Sequence, residues 1–163
     1  CNTAAASFNE DIGAWDTSGV TSMFYMFCAA SVFNGNIGAW DTSGVKTMIS
    51  MFQSASAFNQ DIGGWKVQSV TDMRYMFASA SAFDQDLGWC VDDDVSLDSA
   101  FPGTVCSSTL CGVGQKDANG VCIFTTLAPT LRPTPAPTPT PIVDAAHRLS
   151  GASAALLVLA LAA

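Results

Sequence analysis

Basic residues are scarce in this 163-residue chain. Six lysines and arginines stand against fourteen aspartates and glutamates, which leaves a formal charge of −8 at pH 7. A surface that binds nucleic-acid phosphates needs clustered positive charge, so this balance argues against nucleic acid as a partner. It fits solubility outside a cell and, at most, an attraction for cations or basic partners.

The motifs that usually carry enzyme chemistry are also missing. The one histidine, His147, lies in the C-terminal tail, and the sequence has no nucleophile–base pair, glycine-rich phosphate loop or metalloprotease helix. Catalysis requires one unique constellation of side chains, whereas the aspartates of this chain recur at regular intervals. We therefore expect a protein that is not an enzyme and has no catalytic residues, no cofactor and no bound metal.

What the sequence has instead is a 25-residue repeat, written four times. Each copy opens on a phenylalanine, at Phe8, Phe33, Phe58 and Phe83. A fixed period of this length is typical of solenoids, in which similar units stack and bury one shared core. A single unit cannot offset a backbone ordering cost of about 1–2 kcal/mol per residue, so we expect the copies to stack.

Apolar residues recur at fixed offsets in each copy and predict the core. Because the tryptophans recur together with these apolar positions, we favour a buried tryptophan ladder over a sugar-stacking platform. For the same reason we expect the methionines to fill the core rather than to bind a soft metal. The predicted core ladder comprises Phe8, Phe33, Phe58, Phe83, Ile12, Ile37, Ile62, Leu87, Trp15, Trp40, Trp65, Met23, Met48, Met73, Met26, Met51, Met76, Phe27, Phe52 and Phe77.

Three local patterns occur within the first copy and repeat in the others. The opening segment 8–15 reads as extended, and segment 16–20 has the Asp, Ser and Gly of a turn. The apolar residues of segment 23–30 follow the i, i+3, i+4, i+7 spacing of one face of a short helix. Stacking such units predicts a narrow parallel sheet with strands about 4.8 Å apart, followed by helical turns.

Two polar columns accompany the core. Oxygen ligands repeated along a solenoid suit calcium, but the glycine-rich nonapeptide of calcium-binding β-helices is absent, so we favour side chains that bond neighbouring turns. A solvated turn is likewise favoured over a calcium loop for Asp92, Asp93 and Asp94 with Asp98. The columns are Asn9, Asn34, Asn59 and Asp84, and Asp11, Asn36, Asp61 and Asp86.

The pattern F-N-x-D-I-x-x-W-D-x-S-x-V-T-x-M-x-x-M-F resembles the 25-residue mycoplasma-type repeat of BspA-like leucine-rich-repeat surface proteins, over residues 8–89. The resemblance implies an α/β repeat solenoid, similar to leucine-rich repeats, with short parallel strands and short helical turns. It also implies exposure at a cell surface or secretion, and in some members adhesion. Two departures occur: segment 66–68 replaces Asp-Thr-Ser, and Trp89 comes one residue early, which suggests that the repeat ends there.

Four cysteines follow the last repeat and predict a disulfide-rich C-terminal cap over residues 90–124. They are Cys90, Cys106, Cys111 and Cys122. Pairing Cys90 with Cys106 and Cys111 with Cys122 closes short loops and is favoured among the three possible pairings. A zinc site is disfavoured because no C-x-x-C occurs and only one histidine is present.

The first residues predict a fragment or a processed product. The chain begins at Cys1 without methionine, partway through a unit and without a visible signal peptide, so upstream repeats are expected to be missing. Cys28 is expected either to be buried and free or to pair with Cys1.

After the cap the composition changes abruptly. Residues 125–143 are rich in proline and threonine, which predicts a stiff stalk with threonines as O-glycan acceptors. Residues 144–163 end in an apolar run too short for a typical transmembrane helix, so a GPI-attachment signal is favoured over a transmembrane anchor or a plain apolar helix. The favoured lipid attachment positions are Asp144, Ala145 and Ala146.

Together these features predict a membrane-anchored repeat module at the cell surface that binds an extracellular protein or glycan in adhesion. The alternative is a passive structural component of a coat or wall. Contact residues are expected among the polar positions that vary between copies, namely Glu10, Asn36, Lys46, Gln60, Lys66, Asp72 and Arg74. The repeat is expected to occupy residues 1–89.

Overall fold

Successive copies of the repeat lie side by side and are joined by parallel β-bridges. The structure is a computed structural model, which describes Cys1 and residues 5–124. The bridges pair Ser22 with Thr47, Thr47 with Asp72, and Asp72 with Ser96. The Met23 amide donates to the Thr47 carbonyl at 3.0 Å, and the equivalent amides of the next two copies make the same bond at 2.9 Å. Corresponding residues of neighbouring copies are therefore in register.

The strands and the helix of the described residues all lie after residue 89. Strand β1 is Cys90–Val91, β2 is Gly114–Lys116 and β3 is Cys122–Phe124. A 3-10 helix spans Ser107–Gly112. The strand order is β1-β2-β3, with β1 parallel to β2 and β2 antiparallel to β3.

The helix predicted for segment 23–30 is wrong, because this segment is a series of turns. Tyr25 and Ala29 have φ values of 58° and 61°, in the left-handed region that a right-handed helix cannot contain. Their amides donate to the carbonyls of Ile49 and Gln53 in the next copy, at 3.1 and 2.8 Å. The apolar spacing reflects packing between copies rather than helical periodicity.

The strands predicted for the opening segments, such as 8–15, are also absent from the described residues. Asparagine side chains hold these segments together instead. The Asn34 amide donates to Asn9 Oδ1, the Asn59 amide to Asn34 Oδ1, and the Asp84 amide to Asn59 Oδ1, each at 2.9 Å. The prediction that this column bonds neighbouring turns is confirmed.

The second polar column bonds within its own copy, so the same prediction is wrong there. In the first three copies the Asp or Asn accepts a hydrogen bond from the glycine amide two residues on, as in an Asx turn. A side chain on these glycines would collide with the next copy: a Cβ at Gly13 would lie 2.7 Å from the Asn36 carbonyl oxygen. The bonded pairs are Asp11–Gly13, Asn36–Gly38 and Asp61–Gly63, at 2.9–3.1 Å.

One apolar core runs through all four copies. Stacked rings mark its columns: Phe33 and Phe58 are 6.0 Å apart at 3°. Trp15 and Met26 were predicted in the core but are 55% and 39% exposed, and Phe8 is only partly buried. They belong to the first copy, whose outer side has no neighbouring copy among the described residues. The other predicted core residues are buried, as is Trp89.

The stacking continues beyond residue 89, into the segment predicted as cap. Phe101 stacks on Phe77 with centroids 5.7 Å apart, and the Ala100 carbonyl accepts the Phe77 amide at 2.7 Å. Segment 95–104 is therefore the second half of the fourth copy. It is hard to recognise in the sequence because Leu97 and Ala100 replace the two methionines.

The favoured cysteine pairing is wrong. The disulfides join Cys90 to Cys122 and Cys106 to Cys111, and Cys1 pairs with Cys28. The antiparallel β2–β3 hairpin returns the chain to Cys122, whose Cα atom lies 5.8 Å from that of Cys90. The 3-10 segment is kinked at Leu110 and Cys111, both with φ of 50°, and this kink turns Cys111 back to within 4.8 Å of Cys106 between Cα atoms.

The predicted stalk 125–143 and anchor 144–163 lie outside the described residues, as do Asp144, Ala145 and Ala146. Within the part of the chain that the structure describes, no helix is long and apolar enough to cross a membrane.

Candidate binding surface

Exposed side chains beside the parallel bridges form the most distinctive surface of the repeats. Phe24, Tyr25 and Tyr75 are 51%, 42% and 45% exposed, which is unusual for large apolar rings. They follow bridged residues by two or three positions. We define the bridge strip as Phe24, Tyr25, Ile49, Arg74 and Tyr75.

The backbone positions the tyrosines of this strip through a strained but well-bonded turn. Tyr25 and Tyr75 both have φ of 58°, a conformation that costs about 1–2 kcal/mol for a residue other than glycine. The Tyr75 amide donates to the Asp98 carbonyl of the next segment at 3.1 Å, as the Tyr25 amide does to Ile49. The same turn therefore recurs in successive copies, while the side chain it carries changes.

The two ends of the bridge strip differ in chemistry. The rings of Phe24 and Tyr25 touch, with centroids 4.1 Å apart and a 59° tilt. Arg74 forms a two-pronged ion pair with Asp72, Nη2–Oδ2 at 2.8 Å and Nε–Oδ1 at 3.0 Å. One end is therefore an aromatic pair, and the other carries a cation held by a carboxylate.

Electrostatics keep that ion pair charged over a wide pH range. The hydrogen bond from Arg74 lowers the pKa of Asp72, against a smaller opposing effect of burial. The same hydrogen bond raises the pKa of Arg74, and the charge of Asp98 adds to the effect. The two contacts with Asp72 hold the Arg74 guanidinium in one orientation. The Arg74 side chain remains 47% exposed to solvent.

The predicted contact residues do not form one patch. Arg74 belongs to the bridge strip, and Lys46 and Asp72 lie beside it along the bridge column. Glu10, Asn36 and Gln60 lie in or beside the asparagine column. Lys66 lies in the turn after Trp65.

Sequence reasoning missed the exposed aromatics, because an apolar residue next to the methionine columns looks like core. One signal does distinguish them. The position of Phe24 is Ile in the second copy and Arg74 in the third, and a column that tolerates arginine cannot be fully buried.

Other carboxylates serve the fold. The pKa of Asp16 is lowered by hydrogen bonds from the hydroxyl and amide of Ser18, at 2.7 and 3.0 Å. In the cap, Asp92 pairs with Lys116 at 2.6 Å rather than standing free in an acidic loop. Across residues 1 and 5–124, no group of three metal-ligating side chains is placed to hold a metal ion.

Comparison with known protein families identifies the group to which the repeats belong. A family model described as "Mycoplasma protein of unknown function, DUF285" matches residues 2–108, well over half of the 163 residues. The chain belongs to this family. The match extends past residue 89 and takes in the second half of the fourth copy. No curated protein matches the DUF285 chain, and no solved structure matches it.

Proposed function

We propose that this DUF285 chain is a binding module displayed on the outer face of a cell. In this proposal the repeats form a solenoid of the BspA-like leucine-rich-repeat type, and their surface contacts an extracellular protein or glycan. The in-register bridges and the stacked aromatic columns support the solenoid. The module has no catalytic role.

The observation that carries the proposal is the contrast between core and surface. Three successive copies bury methionine and phenylalanine at equivalent positions, such as Met48 with Met73 and Phe52 with Phe77. The bridge strip changes at each step, from Phe24 to Ile49 to Arg74. A spacer needs no such variation, whereas a surface that recognises one partner needs different groups at different places.

The cysteines support an extracellular location. All six are paired, including a 27-residue link from Cys1 to Cys28 and a 32-residue link from Cys90 to Cys122. Structural disulfides persist in oxidising compartments and are rare in the cytosol. A C-terminal lipid or transmembrane anchor would then hold the module at the membrane through the stalk of residues 125–143.

The alternative is a passive coat or wall component, in which the repeats only space the surface. The experiment that separates the two is display of the purified chain on glycan and cell-surface protein arrays. Saturable binding to some array members is expected from a binding module. Absence of binding across all arrays would favour the passive coat or wall component.

Matched variants connect any hit to the bridge strip. Tyr25→Ser and Arg74→Ala are expected to weaken the hit at least tenfold, because exposed aromatic and arginine side chains dominate protein contacts. Asp93→Asn, at an exposed position of the cap, is the control and is expected to leave the hit unchanged. A hit that survives both strip variants would assign binding to another face.

Mass spectrometry of the mature C-terminus tests the anchor. A glycolipid attached at Asp144, Ala145 or Ala146 is expected. A mature chain that ends at Ala163 without lipid would contradict lipid attachment.

A further inference from the structure

A polar recess opens between the second and third copies of the repeat. Its volume is about 370 Å³, and we call it the turn recess because residues beside the tryptophan ladder and its turns surround it. The recess is not at an end of the repeats, since the first copy precedes these two copies and the fourth follows them. It shares no residue with the bridge strip. Its lining residues are Gly38, Ala39, Trp40, Asp41, Gly64 and Lys66.

Gly64 opens this recess by leaving out a side chain. The equivalent residues of the first two copies are Ala14 and Ala39. A Cβ atom at Gly64 would have no other atom within 4 Å, apart from its chain neighbours, and Gly64 does not have a positive φ. Neither space nor backbone conformation therefore requires glycine here. Its effect is to leave one wall open and to expose its amide, which makes no hydrogen bond within the described residues.

Lys66 changes the charge at the same place. Hydrogen bonds from Ser18 lower the pKa of Asp16, and the charge of Asp41 in the second copy opposes them. Hydrogen bonds from Ser43 lower the pKa of Asp41, and here the charge of Lys66 adds to the effect. Two carboxylates thus face each other at the first step, and a carboxylate faces an ammonium at the second. The ammonium of Lys66 makes no ion pair within residues 1 and 5–124.

The backbone holds the two sides of the recess in a fixed relation. The Oγ1 atom of Thr42, a fully buried residue, donates to the Lys66 carbonyl at 3.1 Å and accepts the Lys66 amide at 2.9 Å. Behind the recess, Trp40 stacks on Trp65 and is 4% exposed. A ligand would therefore meet a recess whose backbone needs no ordering, which lowers the cost of binding.

The polar groups of the turn recess suit a ligand rich in hydroxyl groups. Asp41 Oδ1 accepts the Ser43 amide at 3.0 Å, which leaves Oδ2 to accept from a ligand. The Lys66 ammonium and the Gly64 amide donate. A hydroxyl both donates and accepts, so two adjacent hydroxyls can satisfy the carboxylate and the ammonium together. A ligand ammonium would bring three donors to the single remaining carboxylate oxygen, and is therefore less well matched.

Charge and size narrow the ligand further. The two opposite charges leave the recess close to neutral in a chain whose formal charge is −8, so an anionic ligand is disfavoured. A volume of about 370 Å³ lies near the lower end of small-molecule pockets, about 300–1,000 Å³, and suits one ring with its substituents.

We propose that the turn recess binds one neutral sugar unit of a glycan through two adjacent hydroxyl groups. One hydroxyl donates to Asp41, the other accepts from Lys66, and the ring occupies the space that Gly64 leaves open. The site is separate from the bridge strip. It rests on the proposed function only in that the repeats lie outside the cell, where they meet glycans.

The proposal is tested by titrating methyl glycosides of glucose, galactose, mannose and N-acetylglucosamine into the isotope-labelled full chain and following its amide resonances by NMR. At least one glycoside is expected to shift the Gly64 and Lys66 resonances saturably. Gly64→Ala and Lys66→Asp, which restore the residues of the earlier copies, are each expected to weaken binding at least fivefold. Gly19→Ala is the matched control, because a Cβ there also meets no atom within 4 Å, and it should bind like the unchanged chain.

Two charged probes complete the test. Glycine, a zwitterion, and the methyl glycoside of N-acetylneuraminic acid, an anionic sugar, are titrated in the same way and are expected to bind more weakly than the best neutral glycoside. Tighter binding of either probe, no saturable shift with any neutral glycoside, or unchanged affinity in Gly64→Ala would overturn the proposal. An array hit that depends on the bridge strip would support the proposed function even then, so the two can fail separately.

Discussion

Trp40 and Trp65 lie nearly parallel, with ring centroids 6.4 Å apart and 3° between their planes. Each indole N–H also donates to a backbone carbonyl of the preceding copy. The ladder therefore buries a large ring in each copy and also gives the buried indole N–H a hydrogen-bond acceptor, which it would otherwise lack. This relationship fixes the register between the opening halves of neighbouring copies.

The first prediction concerns that bond. Trp65→Phe retains a ring but removes the donor to the Ile37 carbonyl, so we expect a loss of about 1–3 kcal/mol in the free energy of unfolding. Trp15→Phe is the matched control, because its Nε1 has no acceptor in the described residues, and it should cost clearly less. Urea unfolding of both variants provides the measurement. Equal losses would show that ring size, not the hydrogen bond, sets the cost.

The asparagine ladder gives a second prediction. Asn59→Ala leaves the Asp84 amide without its acceptor and is expected to destabilise the chain by about 1 kcal/mol. Asn59→Asp keeps an acceptor oxygen and should retain most of the stability, as aspartate already occupies this column at residue 84. Thermal unfolding of the two variants provides the comparison. If both lose the same amount, the bond between copies contributes little.

Acid should weaken the fold through its turn carboxylates. Hydrogen bonds from Ser18 and Ser43 lower the pKa values of Asp16 and Asp41 in the folded chain. A lowered folded pKa contributes stability above the unfolded value of about 3.9, and that stability is lost as the pH falls through the folded pKa. The urea midpoint of unfolding should therefore fall as the pH decreases below about 4.

Two substitutions attribute this acid sensitivity to the turns. Asp16→Asn retains an acceptor but cannot titrate, so the pH dependence of unfolding should become shallower. Ser18→Ala removes the hydroxyl that donates at 2.7 Å and should have a similar, smaller effect. A urea midpoint with unchanged pH dependence in both variants would rule out these turns as the source.

The two cap disulfides should differ in their effect on stability. Loss of the link from Cys90 to Cys122 frees a loop of 32 residues, and loss of the link from Cys106 to Cys111 frees one of 5. Loop entropy predicts costs of about 3–4 kcal/mol for the first and about 2 kcal/mol for the second. Paired Cys→Ser variants and urea unfolding measure the difference.

Peptide mapping without reduction checks the pairing itself. A digest is expected to yield linked fragments that contain Cys90 with Cys122 and Cys106 with Cys111. Recovery of Cys90 linked to Cys106 would contradict the sheet register described above.

The candidate surface was predictable only in part. Lys46, Asp72 and Arg74 were expected as contact residues from their variation between copies; Arg74 belongs to the bridge strip, and the other two lie beside it. Phe24, Tyr25 and Tyr75 were not expected, because a single sequence does not reveal which apolar residues a turn directs outward. Tyr25 and Tyr75 also have left-handed backbone, which local propensity does not favour in tyrosine, so this turn could not be predicted from the residue type.

The sequence by itself determined which positions recur and which of them suit an interior. Because the period of 25 residues repeats the contacts of each unit, apolar residues that recur at one position are expected to be buried. Phe33 and Ile37 are examples, and their burial could be predicted without knowing the backbone conformation between them. The asparagine column was likewise predictable, since a short amide repeated at one position can bond its equivalent in the next copy.

Only the tertiary structure decided which of the repeated residues are exposed and which cysteines form disulfides. Burial of a repeated residue requires a neighbouring copy, so Trp15 and Trp40 share a column and differ in exposure. Disulfide partners are likewise set by where the chain returns, and the β2–β3 hairpin brings Cys122, not Cys106, to Cys90. These are properties of neighbours in space, and a pattern along the chain does not contain them.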